Sequence, residues 1–238
     1  MKKNKFTFQE LLITAAVFAV GVCITIPVIG SSQEKATSAG CADKSRQMGA
    51  AFASFAKDND GYLPRTQLGA DQKADKLWVL WTFDLLRKKY IKADNLICPE
   101  GDAMISDPWA RGKVNALKRG SLRNSDVYAY AFYGYNAIGA GGGLSGDKPV
   151  KAANLANRII VTADSWEGNN YQIARYIGAS VIMNRYVKGR GLVYPLHDGK
   201  ANVLWSDGSV SAEAAGDFPH EAWNHGVFAV KKNWVAGR

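Results

Sequence analysis

A chain of 238 residues with 47% hydrophobic side chains and seven tryptophans has enough apolar material for one sizeable core, which excludes wholesale disorder. Its net charge of +9 is spread thinly. The densest basic stretch (Arg111, Lys113, Lys118, Arg119, Arg123) has no interleaved aromatic for base stacking, so it reads as a solvated loop before a site for nucleic acid or anionic glycan.

The chain opens with Lys2, Lys3 and Lys5, and from Leu11 to Gln33 no side chain is charged. Roughly 20 apolar residues in a helix span a hydrocarbon layer about 30 Å thick. The pattern therefore predicts a basic leader over 1–5 and a transmembrane helix over 6–33, its N-terminus cytoplasmic because the lysines flank that end. A cleaved secretory signal is the competing reading, but it needs a shorter apolar region and a small-x-small site, which "VIGSSQ" and "ATSAG" supply weakly.

Beyond the apolar run, Cys41, Ser45, Met48, Phe52 and Phe55 recur at steps of four and three, with Asp43, Lys44, Arg46 and Lys57 between them. That is amphipathic helix spacing, and its apolar stripe requires a folded body to pack against. The helix is expected to continue over 34–61 and end at "DNDG", where Asn59 and Gly61 accept a left-handed cap and Pro64 prevents resumption. One helix from Phe6 to Lys57 would be on the order of 75 Å long, kinked at Pro27.

The remaining residues, 62–238, read as a head domain. "KLWVLWTFDLLRKKYI" predicts a second helix, "DNLICPEGD" a strand end or loop, and 100–125 a long loop. "DVYAYAFYGYN" alternates like a strand, and "NRIIVTADSW" reads as a buried strand entering a turn. "GLVYPLHDGKANVLWSDGSVSA" offers two or three short strands separated by Asp-Gly turns, a hairpin signal because both residues accept positive φ. The expected fold class is α+β: a long N-terminal helix packed against a small antiparallel sheet with long loops.

Three blocks together resemble one family. "FTFQELLITAAVFAVGVCITIP" is similar to the N-terminal segment of type IV pilins and type II secretion pseudopilins, with Phe6 at the first position after cleavage, Glu10 as the membrane glutamate and Pro27 as the kinking proline. "CADKSRQMGAAFASFAKDNDGYLP" resembles the helix-to-loop segment of pilin-like proteins of planctomycete and lentisphaera-type bacteria. "HDGKANVLWSDGSV" fits their H-x9-DG motif: His197, nine residues, then Asp207-Gly208. "ICPEGD", "YGYN" and "TADSW" are shorter echoes.

The resemblance implies a non-catalytic, single-pass inner-membrane subunit with its head in the periplasm or outside the cell. Its partners would be other pilin-like subunits, through the N-terminal helix, and a prepilin peptidase. The alternative is a permanently anchored module that binds glycans or other ligands without polymerising. One position departs from the family: Lys5 replaces the glycine after which the peptidase cuts, and a bulky cation fits that site poorly. Glu10 accordingly has two readings, pairing with the free amine of a neighbouring subunit or pairing with Lys3 or Lys5 near the headgroups.

Among candidate sites, Cys41 and Cys98 lie beyond the apolar run, where an oxidising compartment favours a disulfide between them; the alternative is two separate buried thiols. No CxxC or Cys/His spacing marks a zinc module. His197, with Asp164 or Asp207, is the one combination that suggests hydrolysis. No framed nucleophile accompanies it, and a structural role for His197, Asp207 and Gly208 in a hairpin is the expectation. His220 and His225 match no zinc spacing. Asp58, Asn59, Asp60 and Gly61 resemble half a calcium loop, but its remaining ligand positions fall on Ala56 and Gln67, so a helix cap is expected and no cofactor is assigned. Tyr128, Tyr130, Tyr133 and Tyr135 suit either a carbohydrate-binding face or the core.

Overall fold

The computed structural model describes residues 36–66, 80–120, 130–137, 139–142, 150–155, 159–166, 181–182 and 192–214. The leader, the apolar run and the four residues expected to govern processing and assembly (Lys5, Phe6, Glu10 and Pro27) lie outside them. The chain divides into two compact units, Met1–Ala39 and Gly40–Arg238. The architecture below is that of the second.

Helix α1 occupies residues 36–58. Its stripe of Cys41, Ser45, Met48, Phe52 and Phe55 is buried throughout, as the spacing predicts, and Asp43, Arg46 and Lys57 are exposed. Lys44 departs from that pattern. Its Nζ lies 2.9 Å from the Asp94 carboxylate and donates to the carbonyl oxygens of Asp94 and Ile97, tying α1 to the segment that carries Cys98. The helix ends where Asp60 and Gly61 turn left-handed, with φ of 53° and 82°, and the Gly61 N–H closes on the Ala56 carbonyl at 2.8 Å. Asn59 instead donates its side-chain amide to the Phe55 carbonyl at 2.6 Å.

The second expected helix is present as α2, Trp81–Arg87, with Trp81, Phe83 and Leu85 buried. Two stretches expected as loops are helical. Residues 93–104 form a short 3-10 turn, Ala93–Leu96, and then α3, Pro99–Met104. Residues 100–125 contain α4, Pro108–Lys118. Both helices have proline in their first turn, where its missing N–H costs nothing, and a side chain at the N-cap: the Cys98 sulfur accepts from Gly101 N–H and the Asp107 carboxylate from Ala110 N–H. From Arg111 to Lys118 the basic stretch is thus helical. Arg111 and Lys118 both reach the Asp102 carboxylate at 2.6 Å, and Lys113 lies over the rings of Trp109 and Tyr130.

The fold is α+β, as expected. Strands β1 (Tyr133–Asn136), β2 (Ile160–Trp166), β5 (Lys200–Trp205) and β6 (Val210–Ala214) form an antiparallel sheet in that spatial order. Two short strands extend it: β3 (Val181–Ile182) joins β1 in parallel, and β4 (Leu192–Val193) pairs with the end of β2. Every residue of β1 and β2 is buried, which fits the buried strand read in "NRIIVTADSW", although the strand runs through to Trp166 where a turn was expected. Phe52 of α1, Trp81 of α2 and Tyr135 of β1 have ring centroids 5.2–5.5 Å apart, joining both helices to the sheet in one core. Tyr133 and Tyr135 therefore belong to the core and not to a carbohydrate-binding face, and their hydroxyls donate to the carbonyls of Cys41 and of Pro64 and Ala140. Among the described residues no helix is long and apolar enough to cross a membrane.

Candidate functional site

Four segments deliver polar side chains to one buried point. Cys41 comes from α1, Cys98 from the N-cap of α3, Asp164 from the middle of β2, and His197 from the hairpin that leads into β5. Cys41, Cys98 and Asp164 are fully buried, and His197 is 3% exposed. The local sequence explains each placement. Cys41 begins the apolar stripe of α1, and Cys98 precedes the helix-starting Pro99. A Cβ at Gly101 would come within 2.6 Å of the Phe132 ring, so glycine is what lets α3 press Cys98 against the sheet.

His197 is set by backbone geometry. It exchanges both backbone hydrogen bonds with Lys200 at 2.9 Å, across Asp198 and Gly199 with φ of 47° and 71°. That is the two-residue hairpin loop expected of Asp-Gly. The second Asp-Gly, at 207–208, closes the β5–β6 hairpin, with Gly208 at φ 83° and the Asp207 carboxylate accepting from the Ser209 N–H and hydroxyl. Both ends of the H-x9-DG motif are therefore turn elements.

The His197 side chain does more than the turn requires. Its Nδ1 meets the Glu100 carboxylate at 2.5 Å, and its Nε2 lies 3.2 Å from Asp164 Oδ2 and 3.7 Å from the Cys98 sulfur. The sulfurs of Cys41 and Cys98, the pair expected to form a disulfide, lie 2.8 Å apart. Asp164 Oδ2 also accepts from the Asn202 N–H at 2.5 Å, whereas its Oδ1 has no hydrogen-bond partner. His197 and Asp164, one of the expected pairs, thus come together. Asp207 caps its own turn, and His220 and His225 lie outside the described residues.

The charges in this cluster are mutually dependent. The Cys98 thiol donating to Cys41 lowers the Cys41 pKa to about 6, against the opposing effect of burial, and His197 adds to the lowering. The same hydrogen bond, with burial, pushes Cys98 well up. Burial works against a charged His197, but hydrogen bonds to Asp164 and Cys41, and their charges, raise it to about 11. Burial pushes the Asp164 carboxyl above the usual carboxylate range, with His197 and Asn202 pulling it back.

Glu100 and Asn202 were not singled out from the sequence. Glu100 had a faint signal, an acid in the first turn after a Cys-Pro helix start. Asn202 had none beyond its place two residues into a strand. At "DNDG", the Asp58 carboxylate accepts from the Tyr90 hydroxyl at 2.8 Å, and the segment acts as the α1 cap. No family model matches the chain, and no curated protein or solved structure matches it.

Proposed function

We propose that this chain is a membrane-anchored, pilin-like or pseudopilin-like structural subunit, without catalysis, whose α+β head is carried outside the cytoplasm. The observation that carries this reading is α1. Its apolar stripe is sealed by a small antiparallel sheet, and the uncharged run Leu11–Gln33 ends just before it in the sequence. A helix apolar all round can exchange lipid for neighbouring helices with little change in burial, so assembly would rest on packing and polar pairing in the N-terminal segment.

Burial favours a structural role over hydrolysis. His197 and Asp164 meet among the described residues at 3% and 0% exposure, which supports a packing role over a pair set to receive substrate. The test is fractionation of cells expressing the full chain, with mass spectrometry of its N-terminus. Retention in alkali-washed membranes with a chain starting at Phe6 is the expected result for an assembling subunit. A membrane-bound chain starting at Met1 favours the permanently anchored binding module. Release into the soluble fraction with residues 1–35 intact sinks both.

A further inference from the structure

The buried cluster has more donors than a hairpin clamp or a disulfide uses. Cys41 Sγ, Cys98 Sγ and a His197 ring nitrogen lie within 4.8 Å of one another, and Asp164 Oδ2 lies 3.2 Å from His197 Nε2. We propose that Cys41, Cys98 and His197, with the Asp164 carboxylate as fourth ligand, form a buried structural zinc site that ties α1, α3, β2 and the turn before β5 together.

The donor chemistry selects the ion. Two sulfurs, an imidazole and one carboxylate oxygen suit a borderline-soft, four-coordinate cation, whereas calcium and magnesium require six or more oxygens. Four protein ligands with no position left open would make the structural kind of zinc site. The surroundings match as well. Glu100 holds His197 Nδ1, which leaves Nε2 as the ligand atom, the carboxylate–histidine arrangement that orients metal-bound imidazoles. The Asn202 N–H steadies Asp164 Oδ2, and the unpartnered Oδ1 shows that the protein's own donors do not satisfy this buried carboxylate.

Two zinc-bound thiolates sit about 3.8 Å apart, given Zn–S bonds near 2.3 Å at a tetrahedral angle. The sulfurs, now 2.8 Å apart, would separate by roughly 1 Å, within reach of a small χ1 adjustment. On binding, the thiol and imidazolium protons leave to solvent and the ion takes the vacated lone pairs, so affinity falls as pH falls.

The experiment uses the full chain, purified in detergent without chelator. Elemental analysis and thiol titration of the denatured protein should find one zinc and three reactive thiols per chain, at positions 23, 41 and 98. After chelation, cobalt(II) should bind one-to-one with thiolate-to-cobalt absorption in the near ultraviolet and intense visible bands. His197→Gln should abolish those bands. Glu100→Gln, which keeps every ligand and changes a part-exposed side chain, should weaken cobalt binding about 10- to 100-fold without altering the spectrum. Quantitative recovery of a Cys41–Cys98 disulfide from the native chain overturns the proposal. So does a folded chain whose Cys41 and Cys98 are both free thiols and which takes up neither zinc nor cobalt.

Discussion

At the residue scale, the chain concentrates its risk in a few side chains that sit where water does not reach. His197 lies between two carboxylates and the cysteine pair, and that has a pH signature. Its pKa rises from 6.5 in the unfolded chain to about 11 in the folded one. For the metal-free protein, the stabilisation is therefore complete below about pH 6.5 and is lost as the pH climbs through about 11. The urea midpoint of the chelated chain should fall across that alkaline window, and His197→Gln, less stable at pH 6, should flatten the fall. Gly101 is the second such residue. Gly101→Ala puts a methyl 2.6 Å from the Phe132 ring, and overpacking of this kind should cost about 1–3 kcal/mol, read by denaturant unfolding.

At the element scale, the helices expected as loops show which local signals matter. "ISDPWARGKVNALK" carries an N-cap aspartate, a proline in the first turn and Ala110, Val114 and Leu117 at steps of four and three, all buried. Those are complete start-and-period signals, masked by the density of basic residues around them. Asp107→Ala removes the cap and should destabilise α4 by about 1 kcal/mol, with faster amide exchange at Ala110 and its neighbours as the local readout. The turn at 198–199 was legible because a two-residue hairpin needs positive φ at both positions, and few residue pairs provide it; at 207–208 only Gly208 is left-handed.

At the scale of the whole molecule, the second compact unit has its own core, running from the α1 stripe through Trp81 and Tyr135 to Leu204. A chain trimmed to residues 36–238 should remain soluble without detergent and unfold cooperatively, monitored by circular dichroism and tryptophan fluorescence. Aggregation of that fragment under all conditions would show that the fold of the second unit depends on the N-terminal segment. The basic stretch contributes to this unit from within, since Arg111 and Lys118 share Asp102 and Lys113 covers two aromatic rings. Their charge is spent on joining α3 to α4 and is less available to phosphates than the bare sequence suggested.

The amino-acid order by itself determined the features governed by short-range physics: the α1 stripe, the helix stop near Gly61, the buried β2 run, the Asp-Gly hairpins and the α+β class. Each depends on periodicity or on φ, which a few neighbouring residues settle. Only the tertiary structure decided that Cys41, Cys98, Asp164 and His197, as many as 156 positions apart in the sequence, share one buried point with Glu100 at its edge. That meeting depends on which strands pair and on how closely α3 can approach Phe132. Both are long-range outcomes of packing, and no local spacing encodes them.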